Sequence, residues 1–267
     1  MNKAERAQNE INAMDALAAG KSPVHSLSAL SKLFLTILYI AVTVSFNKYD
    51  ITGIFIMVLF PIAGYVVSGI PVSTCFKKLR VVMPLVCVVG IINPFLDREI
   101  IMYVGHMGIS GGVVSMLTLM MKGVFSLMMS FLLMATTKIE YICAGLRKIH
   151  FPRILTSLIL LTYRYISVLL REVSIMTVAY SLRAPGQRGI HISAWGSFLG
   201  QLILRSMDRA NDIYDSMSLR GFDGNFYFAD GRKGSKWSWP AVLAVAVLCI
   251  LVRFINVAAL TGALIIK

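Results

Sequence analysis

The sequence predicts an all-α, polytopic integral membrane protein with about five to six transmembrane helices and two long amphipathic helices on the cytoplasmic side. Three observations predict it. Of the 267 residues, 57% are hydrophobic and 15% charged, against about 25% charged in a soluble domain. The apolar residues gather into runs that approach the roughly 20 needed to cross hydrocarbon as a helix. The charges gather between those runs, with 26 Lys and Arg against 13 Asp and Glu, a formal net charge of +13.

Residues 1–28 form a polar cytoplasmic segment with Glu5, Glu10 and Asp15. It has no apolar h-region, so no cleavable signal peptide is expected. Residues 29–137 carry four spans. The first runs from Leu30 to Phe46 and the second from Ile51 to Ile70, ending at Pro71. A short basic loop with Lys77, Lys78 and Arg80 follows. The third covers Leu79 to Phe95, where Pro84 can kink it. The fourth covers Gly111 to Ala135.

Residues 138–236 change character and form a cytoplasmic-side helical region. Lys138, Arg147, Lys148 and Arg153 mark a basic linker. Ile154 to Leu182 then mixes apolar residues with Arg164, Arg171 and Glu172, so the part from 154 to 170 either enters the bilayer or lies against it. Ser193 to Leu219 carries Arg205, Asp208, Arg209, Asp212 and Asp215, spaced to put opposite charges on neighbouring helical turns. A last basic loop holds Arg232, Lys233 and Lys236. Residues 237–267 form the C-terminal span, with Trp237 and Trp239 placed as interfacial anchors.

Loop charge sets the orientation. The segments before the first span, after the second and after the fourth hold most of the Lys and Arg, whereas the opposite loops hold Lys48 and Arg98. The positive-inside rule then puts the N-terminus and the Lys138–Lys236 region in the cytoplasm and the C-terminus outside. The same asymmetry accounts for the positive charge, and no nucleic-acid partner is expected.

Several chemistries find no motif. The sequence has no G-x-x-x-x-G-K-[ST], H-E-x-x-H or G-x-S-x-G. His25, His106, His150 and His191 have no second histidine at helical spacing and are expected as solvated loop residues; no metal site is expected. Cys75, Cys87, Cys143 and Cys249 lack ligand spacing and are expected as small buried hydrophobes. Lys122 and Arg253 are the cations inside apolar runs, and no mid-membrane carboxylate accompanies them. Lys122 has two readings, a helix or partner interface and a snorkelling side chain.

The feature left over is a pair of similar helix ends, Ser181-Leu182-Arg183-Ala184 and Ser218-Leu219-Arg220-Gly221. An Arg there suits the macrodipole and a following glycine stops the helix, which explains either site alone. Two such ends on one chain without its own nucleotide motif favour a docking surface, since Arg pairs bidentately with carboxylates.

Four stretches carry a family resemblance: Ser26 to Leu33; Asn93 to Asp97 with Gly111-Gly112; Leu161-Thr162-Tyr163-Arg164-Tyr165; and Gly200 to Ala210, continuing through Tyr214 and Met217 to Gly224. The chain resembles the transmembrane T component of energy-coupling factor (ECF) transporters, in the cobalt-type CbiQ branch. That family has two Ala-Arg-Gly-like motifs at the ends of coupling helices, matched here by Leu182-Arg183-Ala184 and Leu219-Arg220-Gly221. Leu replaces Ala in both and Ala184 replaces the first Gly. The resemblance implies that Ser181, Leu182, Arg183, Ala184, Leu219, Arg220 and Gly221 couple to ATPases, with Arg205, Asp208, Arg209 and Asp212 structuring the second coupling helix. It also implies docking on two cytoplasmic ABC ATPases that carry ATP and Mg, a membrane S component, a multi-pass place in a prokaryotic cell membrane, and no cofactor or catalysis of the chain's own.

The function expected is the energy-coupling subunit of a cobalt (or nickel) importer. The alternative within the family is a T component serving vitamin-binding S proteins. A different class, an intramembrane enzyme acting on lipid, rests only on Asp208, Asp212 and Asp215, whose interleaving with Arg205 and Arg209 suggests ion pairing instead.

Overall fold

The computed structural model describes residues 3–96, 100–104, 107–187, 189–222, 224 and 238–254. Asp97, Arg98, His106, Asp223, Arg232, Lys233, Lys236 and Trp237 lie outside the described residues, as does the final span beyond Phe254. The chain divides into two compact units, one of residues 17–138 with 232–267 and one of residues 1–16 with 139–231.

The first unit is apolar. It holds α2 (Pro23–Ser26), α3 (Ala29–Ser45), α4 (Ile51–Met57), α5 (Leu59–Ser68), α6 (Val72–Leu96), α7 (Gly111–Thr136) and α11 (Ser238–Phe254). Ser28 caps α3 by accepting from the Ser31 amide at 3.2 Å, so the first span starts where a hydroxyl can satisfy a free N–H. α7 lies at the centre, packed on α3, α4, α5 and α6, and α11 packs on α3. Tyr39, Ile54, Met57, Tyr65, Phe125, Met128, Leu132 and Cys249 form its core. Glycines let helices approach closely: Gly64 sits against Leu132, Gly123 against Val86 and Gly90 against Met116, the small-residue contact by which membrane helices pack.

The expected second span is two helices, α4 and α5, meeting at Val58. Pro61 has no N–H to give the Met57 carbonyl four residues earlier, so that carbonyl loses its helical partner. Tyr39 Oη donates to it instead, at 2.8 Å from α3. Tyr39→Phe is therefore expected to leave a buried carbonyl unpaired and to cost about 1–2 kcal/mol. A lowered unfolding midpoint in detergent checks this; an unchanged midpoint means the carbonyl has another donor.

The third span also differs from expectation. α6 begins at Val72, so Lys77, Lys78 and Arg80 belong to its first turns rather than to a loop, and the helix runs on through Pro84 and Pro94. Between α6 and α7, Ile100–Val104 (β1) and Met107–Ser110 (β2) pair antiparallel as a short hairpin. It is the only strand pair among the described residues, and the protein is all-α in class.

The second unit holds α1 (Lys3–Ala18), α8 (Ile139–Lys148), α9 (Arg153–Arg183), a 3-10 turn (Ile192–Ala194) and α10 (Trp195–Leu219). The expected basic linker is thus largely helical: the Ile139–Lys148 stretch buries Cys143 and Gly145 and packs on α9. α1 is tied to α9 where Tyr163 Oη donates to Asp15 Oδ1 at 2.6 Å. α9 is one unbroken helix of 31 residues. Together with Ile51–Ser68 and α7, it is long and apolar enough to cross a membrane; α3, the 82–94 part of α6 and α11 are shorter apolar helices. Yet only Thr156 of α9 and Phe198 of α10 are buried.

Candidate functional site

α10 folds back on α9, and the two meet where the Arg205 guanidinium pairs with the Glu172 carboxylate. This pairing runs across the helices rather than along α10, where Asp208, Arg209 and Asp212 stand exposed. They line a groove of about 750 Å³ with Arg164 and Glu172 of α9. Arg220 at the far end of α10 reaches the same groove beside Leu161 and Arg164, whereas Arg183 ends α9. At 1.5 Å per residue, the rise from Arg164 to Arg183 separates the two arginines by about 30 Å along α9.

Both helix ends are open. Ser181, Arg183, Ser218 and Arg220 are exposed and Ala184 is half-buried. The preceding leucines are the more unusual feature: Leu182 is 78% and Leu219 89% exposed. Each end therefore presents an apolar side chain beside a cation, with little covering either.

The cations of the apolar unit are differently placed. Lys122 Nζ donates to the carbonyls of Val44 (3.1 Å) and Phe46 (2.6 Å), and Arg253 donates to Ser45 O at 3.1 Å. Both thus serve the C-terminal end of α3. Lys32, which sequence reasoning did not single out, is 6% exposed and donates to Thr136 O, the last residue of α7, at 2.9 Å. Each cation meets a helix end whose carbonyls lack intrahelical donors and carry the negative pole of the dipole. Of the two readings of Lys122, the helix-interface reading describes this geometry.

His25 corrects the expectation of solvated histidines. It is 5% exposed, with Nε2 3.0 Å from Leu17 O and Nδ1 2.7 Å from Ser22 Oγ; a carbonyl only accepts, so the Nε2–H donates to Leu17 O. His150 and His191 are exposed. Cys75, Cys143 and Cys249 are buried and free, and burial pushes the Cys143 thiol up, away from nucleophilic use. Among the described residues, no three His, Cys, Asp or Glu side chains are grouped to hold a metal ion.

Residues 20–228, most of the chain and both helix ends, match the family model of the CbiQ cobalt transport protein. The chain belongs to the CbiQ family. It is also similar to the nickel permease LarQ of Lactiplantibacillus plantarum, 26% identical over 42% of this chain and 41% of the relative. An uncharacterized protein of Methanocaldococcus jannaschii is 25% identical over 67% of this chain and 64% of the relative. The chain thus spans less than two thirds of the length of these two. The ECF transporter transmembrane protein EcfT of Lactococcus lactis subsp. cremoris is 26% identical over 88% of this chain and 94% of the relative.

Against the CbiQ motif pattern, the structure gives a reason for Ala184 where glycine is usual. Ala184 has φ −126°, open to any residue, and the left-handed turn falls on Gly186 at φ +95°. The second end stops in a Schellman arrangement: the Phe222 amide bonds Met217 O and the Gly221 amide bonds Ser218 O, both at 3.0 Å, with Gly221 at φ +78°. Gly221→Ala is expected to cost about 1–2 kcal/mol at that stop. Ala184→Gly should bring no gain. Amide exchange at positions 221 and 222 reads the difference, and equal protection in wild type and Gly221→Ala would contradict it.

Proposed function

We propose that the chain is the membrane-embedded coupling subunit, the T component, of an ECF importer for cobalt or nickel ions. In this reading it docks on two cytoplasmic ABC ATPases, where ATP and Mg are bound, and holds a substrate-binding S component in the cell membrane of a prokaryote. Its N-terminus is cytoplasmic, and it binds neither nucleotide nor metal and catalyses nothing. The observation that carries the reading is the pair of exposed Leu-Arg ends, Leu182-Arg183 and Leu219-Arg220, far enough apart to engage one ATPase each. An Arg beside an exposed Leu suits a recess with a carboxylate and an apolar wall. Closure of the ATPases would then move α9 and α10, whose Arg205–Glu172 pair joins them.

The test is to express the chain with its candidate ATPases, identify the chains that co-purify, and measure cobalt and nickel uptake. The chain alone should show no ATP turnover; hydrolysis without an ATPase subunit would refute the reading. A vitamin-type T component is the second reading. It keeps the T-component role, which the similarity to EcfT supports over nearly the whole of that relative, and changes only the cargo; the nickel-permease similarity covers 41% of its relative. A vitamin-binding S protein in the purified complex, with no cobalt or nickel uptake, would select it.

A further inference from the structure

The corner between α8 and α9 takes no part in the coupling surface described above. Every residue from Lys148 to Leu155 is exposed. Four of them are large and apolar: Ile149 (61% exposed), Phe151 (38%), Ile154 (79%) and Leu155 (43%). Lys148, His150 and Arg153 alternate with them, and Arg147 stands in the last turn of α8. The corner is built rather than loose. The Phe151 amide bonds Leu146 O at 3.3 Å and the His150 amide bonds Arg147 O at 3.2 Å. His150 takes the left-handed turn at φ +60°, and Pro152 holds the N-cap position of α9, its carbonyl accepting from the Thr156 amide at 3.2 Å. A non-glycine residue held at positive φ fixes the direction of the turn at a cost in strain.

The stretch of chain that runs through the corner carries charge of one sign. No Asp or Glu occurs between Glu140 and Glu172, while Arg147, Lys148, Arg153, Arg164 and Arg171 do. Cations interleaved with exposed apolar side chains match a surface that is anionic at one depth and apolar a few ångströms below it, as at a bilayer headgroup boundary. The chain enters this corner through α8 directly after the last turn of α7, one of the helices long enough to cross a membrane.

We propose that the α8–α9 corner is an interfacial anchor. Lys148 and Arg153 meet the phosphates of anionic phospholipids, and Phe151 and Ile154 enter the boundary beneath them. The proposal does not depend on the cargo or on the ATPase contacts. Its test uses the full chain in nanodiscs of phosphatidylcholine alone or with phosphatidylglycerol added, without partner proteins. A nitroxide is placed at Phe151→Cys, the unsubstituted protein giving the background from native cysteines. In phosphatidylglycerol discs the label should collide with oxygen and be shielded from a water-soluble nickel chelate. Chelate collisions should rise about threefold or more in phosphatidylcholine discs or with Lys148→Gln/Arg153→Gln, while Lys148→Arg/Arg153→Lys keeps the shielding. Equal chelate access in both lipids overturns the proposal. So does shielding that appears only after ATPases are added, which would mark a protein interface. Shielding produced by inorganic phosphate without anionic lipid would mark a small-anion site and overturns it equally.

Discussion

Replacing both Arg183 and Arg220 with alanine is expected to abolish uptake while leaving membrane insertion intact. Each guanidinium stands at an open helix end beside an almost fully exposed leucine. If it docks into an acidic recess, truncation leaves a buried carboxylate unpaired and costs about 2–5 kcal/mol per site. If it is only a solvated helix-end charge, the loss is about 0.3–1 kcal/mol, from the macrodipole. The two accounts differ by roughly tenfold or more in association with the ATPases. Single replacements should weaken ATPase co-purification and depress uptake, and lysine at either position should rescue only in part, because the bidentate fork is lost. Leu182→Ser and Leu219→Ser should weaken the same association through the apolar wall. A double alanine variant that still assembles and transports at the parent rate would reduce both arginines to helix-end charges.

The spans were legible because bilayer crossing demands long apolar runs and forbids unpaired backbone, so composition alone locates α3, α7 and the Ile51–Ser68 pair. Their details were legible only where the cause is local. Pro61 signals that Met57 O loses a partner, but nothing near it says that Tyr39 Oη replaces the missing donor. The ends of α9 and α10 could be read because glycine and arginine mark helix stops, and the departure at Ala184 became intelligible only from its φ of −126°. α8 reads as a linker in the sequence because Lys138, Arg147 and Lys148 outweigh its few buried residues, Cys143 and Gly145. The along-helix charge pattern of α10 suggested internal pairing, yet Arg205 found Glu172, because a neighbouring helix competes for a long side chain as well as the next turn does. His25 had no sequence signal: its partners, Leu17 O and Ser22 Oγ, are brought to it by the bend of the chain.

The cations inside the apolar unit show the same limit and yield the second large effect. A lysine within an apolar run reads either as lying at a helix or partner interface or as snorkelling, since its partners are backbone atoms that no side-chain pattern announces. The geometry separates the two. Lys122 Nζ bonds Val44 O and Phe46 O, Arg253 bonds Ser45 O, and the Arg253 guanidinium lies 5.0 Å from the centre of the buried Phe46 ring. These are the carbonyls at the C-terminal end of α3 and its cap residue, where no following helical amide donates to them. Lys122→Met is expected to strip two charge-assisted bonds and destabilise the protein by about 2–4 kcal/mol. Lys122→Glu adds repulsion from the helix terminus and should prevent accumulation of folded protein. Lys122→Arg should be tolerated. A transport-path role predicts the reverse for Lys122→Met: unchanged stability and no uptake. Unfolding midpoints of the purified variants, set beside uptake per folded molecule, distinguish the two. Lost uptake with the parent's unfolding midpoint would show that Lys122 serves the cargo path rather than the end of α3.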